Sequence, residues 1–415
     1  MTRQTIHAVR LGIIAGLCLI AAARGASASI DISGSALVSA QKIDFDSTSG
    51  ALDEDFNFND PRVNLYFKST ISENIALNFT LWASNDWSSA NNRGNAGTVV
   101  FDDAAELRGA FITIKNVGGS KLTLKAGKVP ISYGYEAPNR TANGDSTKND
   151  FLTNSLLDMH GNDEGIALSG SFEASTTPIS WEASITNGGA VTDGNPSGAG
   201  GQTRSNADLA LAARITAKLA DNITAQASWY SSDQSKDGDN DALNIGSSFF
   251  VTAVQDGTAT NKNLVGLVYA GQGQGSAYDR DLWEVSAKYD YGNGYFMGFW
   301  GDINADTVTP GASREWKYWG IQGRYNVDEN AYVAARWNAL DPDYAGAGAL
   351  GKPNLLSVAA AYKLADNARV TAEWTSFNED GGGFSNEGTA VGAASTSDGR
   401  NADATALTAG ISVKF

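Results

Sequence analysis

Ala404-Thr-Ala-Leu-Thr-Ala-Gly-Ile-Ser-Val-Lys-Phe415 is the stretch whose reading decides the fold. Leu407, Ala409, Ile411, Val413 and Phe415 share one parity, and Ala406, Thr408, Gly410, Ser412 and Lys414 share the other. Side chains alternate across a strand, so this is a strand with one apolar face and one small, polar face. It runs to an aromatic terminal carboxylate, an ending for which a soluble protein has little reason.

The same alternation recurs upstream. Val63, Leu65 and Phe67 face away from Arg62, Asn64, Tyr66 and Lys68, and after Ser72-Glu73-Asn74 the residues Ile75, Leu77, Phe79 and Leu81 alternate back. Further hairpins turn around 116–120, 176–178, 219–222, 291–294, 327–330 and 364–367. Lys-Leu-Ala-Asp-Asn occurs twice, at 218–222 and 363–367, each time before an alternating strand that reaches a Trp. A hairpin unit repeated at this spacing predicts an up-and-down meander. Long polar connections (44–60, 88–104, 133–160, 189–206, 341–353 and 378–401) alternate with the short turns. All eight prolines fall in loops, turns or strand ends, as a closed hydrogen-bond ladder requires.

A first strand near Ile30–Phe45, seven hairpins and the last strand make sixteen. Within 241–271, Leu243, Ile245, Phe249 and Val251 form one further alternating run, and Val265, Leu267 and Tyr269 another, which would make eighteen. Sixteen is the reading adopted. Trp229, Trp337 and Trp374 each stand seven residues after the Asn that closes their turn. They are expected on the outer face at one height, about 18 Å above the turns, where Trp suits a membrane–water interface.

At the other end, Arg3 and Arg10 precede an apolar run from Leu11 to Ala23, followed by Ala26-Ser27-Ala28. This predicts a cleavable signal peptide over 1–28 and a barrel domain over 29–415, with export as the consequence. Leu17 immediately before Cys18 excludes a lipoprotein leader. Cys18 is the single cysteine, so beyond the leader disulfides, zinc–thiolate sites and cysteine nucleophiles are excluded. Subtracting the leader's three arginines leaves 27 basic residues against 46 acids, a net of −19, which argues against a nucleic-acid partner.

With both ends read, the terminal strand closing on Phe415 resembles the assembly signal of Gram-negative outer-membrane β-barrels. That resemblance implies an all-β transmembrane barrel, antiparallel and up-and-down, with short periplasmic turns and long extracellular loops. It also implies the barrel-assembly machinery as a partner, with outer-membrane lipid and lipopolysaccharide as surroundings. Ala126-Gly-Lys-Val-Pro-Ile-Ser-Tyr-Gly-Tyr-Glu136 resembles a segment of porins in the phosphate-selective O and P group. Gly165-Ile-Ala-Leu-Ser-Gly170 and Ser184-Ile-Thr-Asn-Gly188 are similar to that group's next hairpin. The chain departs from the group in its sparse basic residues and negative total, so a general diffusion porin is the reading taken.

Sixteen strands enclose more space than side chains fill, which predicts an aqueous channel for small hydrophilic solutes or ions. Porin resemblance implies that the loop Tyr133–His160, after the fifth strand, folds inward and brings Glu136, Asp145, Asp150 and Asp158 to one side of a constriction. Inward parity places Arg108, Lys125, Arg214 and Arg336 at mid-barrel height, as a band of cations facing those carboxylates. Such a transverse field sets ion preference. Family resemblance further implies a homotrimer.

Two other classes remain. A hydrolase would need a base, and His160 is the only histidine beyond the leader, without a nucleophile motif beside it; no enzyme and no cofactor are expected. Asp44, Asp46, Asp53, Glu54, Asp55 and Asp60 suit divalent cations or lipopolysaccharide, which leaves a plugged or structural binding barrel as the alternative; no metal site of recognisable spacing is present.

Overall fold

A strand with one apolar and one polar face needs an apolar medium on one side and water on the other, and where that medium is lipid its backbone groups must all be paired. A closed sheet meets both demands. The computed structural model describes residues 29–46, 54–58, 62–84, 104–135, 149–153, 159–160, 162–187, 209–232, 244–251, 264–268, 278–307, 314–344, 352–380 and 402–415. Its first half comprises β1 (Ser29–Asp46), β2 (Glu54–Phe58), β3 (Arg62–Ser72), β4 (Ile75–Ser84), β5 (Ala104–Lys115), β6 (Thr123–Pro130), β7 (Met159–His160), β8 (Asn162–Ala174), β9 (Thr177–Thr186) and β10 (Ala210–Ala220). The second half comprises β11 (Ile223–Ser232), β12 (Asn244–Val251), β13 (Leu264–Val268), β14 (Tyr278–Asp290), β15 (Gly294–Thr307), β16 (Arg314–Asn326), β17 (Ala331–Tyr344), β18 (Lys352–Ala365), β19 (Ala368–Asp380) and β20 (Ala402–Lys414).

Sixteen of these close an all-antiparallel, up-and-down barrel. Each wall strand pairs with the next, and the ring closes where β1 meets β20, from Ser35↔Lys414 to Asp46↔Asp403. The short β2 pairs back onto β1 beside the long first connection. The described strands within 241–271 stay out of the wall. β12 and β13 pair with each other, and β12 pairs with β7 of the long loop, as a separate three-stranded sheet. Sixteen is therefore the strand number. Of the apolar residues that suggested eighteen, Ile245, Phe249, Val251, Val265 and Leu267 lie in this loop sheet, and Leu243 and Tyr269 lie outside the described residues.

The outer face follows from the parity. Along β10 the outward row is Leu209, Leu211, Ala213, Ile215, Ala217 and Leu219. Ten residues at about 3.3 Å each, tilted roughly 40°, give an apolar height of about 25 Å, the band a barrel presents to hydrocarbon. Trp229, Trp300 and Trp374 are exposed on the outer face, and Trp337 is half-buried on the same outward parity. The cross-strand pairs Trp229↔Trp283 and Trp300↔Trp319 extend the belt. Ring centroids lie 4.5 Å apart for Trp283–Trp300 and 6.5 Å for Trp319–Trp337. Beyond the belt, towards the long connections, the outward positions turn polar at Asp302, Lys317 and Asp341. Nearer the short turns, Phe172, Tyr289, Phe296, Tyr325 and Tyr362 form a second exposed aromatic set.

Phe415 sits at the seam. Gly34 N–H donates to the Phe415 carbonyl at 2.7 Å, and Phe415 N–H donates to the Gly34 carbonyl at 3.0 Å. A Cβ on Gly34 would stand 2.5 Å from Phe415 Cζ and 2.7 Å from the Asn64 carbonyl oxygen, so the terminal ring occupies space that only a glycine leaves.

Candidate functional site

The inner face carries small hydroxyl residues, among them Ser39, Thr80, Ser184, Ser228, Ser286, Ser357, Thr371 and Thr408. Against this wall lies the loop that leaves the end of β6, the fifth wall strand. Pro130 ends the ladder, because it has no N–H to donate, and the chain turns inward. Ile131 and Tyr133 are fully buried. Tyr133 reaches Tyr318 of β16, hydroxyl to hydroxyl at 2.9 Å, and packs edge-on against Tyr230 of β11. Gly134, at φ +70°, donates its N–H to Ser228 Oγ at 3.0 Å; its left-handed backbone favours glycine. The N–H of Tyr135 donates to Glu284 Oε1 at 2.7 Å, and Tyr318 donates to the other oxygen of that carboxylate at 3.1 Å. Residues 131–135 thus cross the inner wall from β6 to β16.

A second described piece of the loop, 149–153, is anchored still further round. Glu373 of β19 accepts the N–H groups of Leu152 at 2.5 Å and Thr153 at 2.9 Å, together with the Thr153 hydroxyl. Arg336 of β17 lies 3.6 Å from Glu373, donates to the Thr153 carbonyl at 2.8 Å and places its guanidinium 4.4 Å from the Phe151 ring centroid. Phe151 packs with Tyr332 and with Ala334, Ala359 and Ala361, and the three alanines make room for the ring. Asp150 pairs with Arg324 of β16 at 3.0 Å and accepts from the Tyr295 hydroxyl. Arg324 and Arg369 both face the Tyr332 ring, at 4.0 and 5.6 Å from its centroid. The loop is therefore held at both ends inside the barrel by buried carboxylates and guanidinium groups.

The residues singled out from sequence separate into distinct environments. Lys125 of β6 and Arg214 of β10 converge on Glu182 of β9, at 3.4 and 3.9 Å, and Glu182 also accepts from Ser132 at the loop root. Arg336 does not face open lumen: it is only 2% exposed, beneath the loop. It lies on the same side as Asp150, whereas Lys125 and Arg214 lie across β6–β10 with a carboxylate of their own. The described members are thus not sorted into cations on one wall and acids on the other. Arg108 is the extra residue where the ladder passes from Thr80↔Gly109 to Leu81↔Leu107, and its side chain is outside the described set. Glu136, Asp145 and Asp158 also lie outside the described residues, as do the side chains of the acidic run from Asp44 to Asp60. His160 contributes backbone to β7, opposite Asn244. Among the described residues no group of three or more His, Cys, Asp or Glu is placed to hold a metal ion.

Sequence reasoning overlooked Glu182, Glu284 and Glu373, the three inward carboxylates that receive the loop or its root. Their signal is present: each is an acid at an inward position whose nearest inward neighbours along the strand are uncharged, as in Thr371-Ala-Glu373-Trp-Thr375. Such an acid needs a partner, and in an antiparallel wall the loop is one of the few elements that reach it.

No family model and no curated relative matches the chain. Solved structures do. OmpT, an outer-membrane protein of Vibrio cholerae, superposes with a TM-score of 0.53 at 13% identity, covering 94% of this chain and 98% of that one. The outer-membrane channel DcaP of Acinetobacter baumannii gives the same four figures. An anion-selective porin from Comamonas acidovorans gives 0.55 at 10% identity, covering 94% and 100%. At these identities the likeness is one of fold. The chain has the sixteen-stranded barrel fold of the outer-membrane porins.

Proposed function

We propose that the chain is an outer-membrane porin, a water-filled channel for passive diffusion of small hydrophilic solutes or ions. One observation carries the reading: a closed barrel of lumen-forming size, banded by tryptophan outside, holds a long loop against its polar inner wall. A barrel of this strand number is wide enough for water, and an anchored loop narrows it without an added plug domain. The constriction is formed by that loop with the Lys125–Glu182–Arg214 cluster of the wall beside its root, and Arg108, Glu136, Asp145 and Asp158 belong to the same proposal. Arg336 and Asp150 hold the loop in place.

Residues 1–28 act as the export leader, Phe415 as the signal read by the barrel-assembly machinery, and the working unit is a homotrimer in outer-membrane lipid and lipopolysaccharide. The role is transport without catalysis. Single-channel recording of folded protein in planar bilayers, with reversal potential under a KCl gradient, tests the reading. Conductance steps in groups of three with a finite reversal potential are expected. A silent bilayer from heat-modifiable, folded protein would sink it in favour of a plugged barrel that binds cations, lipopolysaccharide or a partner.

A further inference from the structure

The inner wall of β6, β8, β9 and β10 carries a lattice of polar side chains set by its register. Thr123, Ser169, Glu182 and Arg214 stand opposite one another in one row. Ser171, Ser180 and Thr216 form the adjacent row. Together with Lys121 they line a cavity of about 290 Å³. The hydroxyls of Thr123, Ser169, Ser171 and Ser180 make no hydrogen bond to another described side chain. Arg214 has five donors in a planar fork, yet its one ion-pair contact among the described residues is Glu182 at 3.9 Å, beyond hydrogen-bond reach. Its side chain is only 16% exposed, so the fork is held at the cavity wall and does not trail in bulk water. Glu182 is already engaged by Lys125 and Ser132, which fixes it beside the loop root.

We propose that this cavity is a subsite for a small polyhydroxylated carboxylate, a sugar acid, on its way through the channel. The inference rests on the porin reading and adds a solute class to it. Lys121 and Arg214 line the cavity with one carboxylate, that of Glu182, which Lys125 engages as well, so a neutral polyol leaves cationic charge unmatched. A simple carboxylate answers the guanidinium fork but leaves the four hydroxyls to water. A solute bearing both groups satisfies both: its carboxylate lies on the Arg214 fork, where planar bidentate pairing is strongest, and its hydroxyls exchange hydrogen bonds with the serine and threonine lattice. Discrimination follows from the sum of the two contacts, because a ligand that bears only one of the groups gains only one of them.

The test uses the full-length folded protein in planar bilayers, with galacturonate, glucose or acetate added to KCl. Galacturonate is expected to lower the conductance saturably, while glucose and acetate at equal concentration do not. Arg214→Gln should raise the half-blocking concentration of galacturonate at least tenfold, and Arg214→Lys, which keeps the charge but not the fork, should also raise it. Ser171→Ala with Ser180→Ala should raise it at least threefold. Heat-modifiability confirms that each variant is folded. Equal block by acetate, or an unchanged half-blocking concentration in Arg214→Gln, overturns the proposal. If the protein forms no channel, titration calorimetry in detergent separates the two ideas. Galacturonate heat that Arg214→Gln abolishes supports the subsite while the porin reading fails, and absence of that heat rejects the subsite itself.

Discussion

Glu373→Gln is the most informative single change, because one buried carboxylate takes three hydrogen bonds from the 149–153 segment of the loop. Glu373 is 1% exposed and accepts two backbone N–H groups and the Thr153 hydroxyl, with Arg336 beside it. Gln keeps an acceptor oxygen but removes the charge, and so leaves the Arg336 guanidinium buried and unpaired. Breaking one side of a buried ion pair costs about 3–5 kcal/mol. At 1.4 kcal/mol per tenfold, the anchored loop loses roughly two to three and a half powers of ten in its equilibrium against a released one. The ladders of β17, β18 and β19 do not involve the carboxylate, so the barrel itself stays folded and heat-modifiable.

The assay is single-channel recording. Loss of the anchor should raise the mean conductance and add current fluctuations that wild-type channels lack. Arg336→Met together with Glu373→Gln removes both charges at once, and the buried pair is then replaced without an orphan. This double variant should restore most of the quiet wild-type trace. Unchanged conductance and noise in folded Glu373→Gln would falsify the idea that this contact holds the loop. A double variant as noisy as the single one would show that the orphaned guanidinium is not the cause.

Three further outcomes are expected. Phe415→Ser should cut the yield of folded barrel while export across the inner membrane continues, and Gly34→Leu should do likewise, since overpacking at the seam costs about 1–3 kcal/mol; the heat-modifiable fraction on gels reads both. Arg214→Gln should shift the reversal potential towards cations, because a unit charge about 10 Å from a passing ion in water is worth roughly 0.4 kcal/mol, about a twofold change in ion population. Arg336→Gln should instead loosen the loop and add current noise, because it leaves Glu373 buried and unpaired. Asp150→Asn should loosen the other contact of the 149–153 segment by removing the charge opposite Arg324, and appear as added current noise smaller than that of Glu373→Gln, because Arg324 is partly exposed.

The wall was legible in the chain from its alternation. A period of two with lipid on one side and water on the other is a constraint that every strand obeys separately, so Leu407, Ile411 and Phe415 declare their face without knowledge of their neighbours. The aromatic belt was legible for the same reason: Trp229, Trp337 and Trp374 point outward by parity alone. The stretch 241–271 was ambiguous because apolar alternation says that a segment pairs, not with what. Only the three-dimensional arrangement sends β12 to β7 and keeps it out of the wall.

Parity likewise placed Lys125, Arg214 and Arg336 on the inner face, but it does not say what lies above a side chain. Two equivalent inward arginines have opposite fates, Arg214 at the edge of a cavity and Arg336 beneath Phe151 and Thr153. That difference depends on the path of a loop whose contacts lie 183 and 220 residues away in the chain. The sequence by itself determined a barrel, its two faces and its closing strand, because those are local periodicities under a solvent constraint. The tertiary structure alone decided which inward charges meet solute and which hold the loop, because that is settled by packing between distant segments.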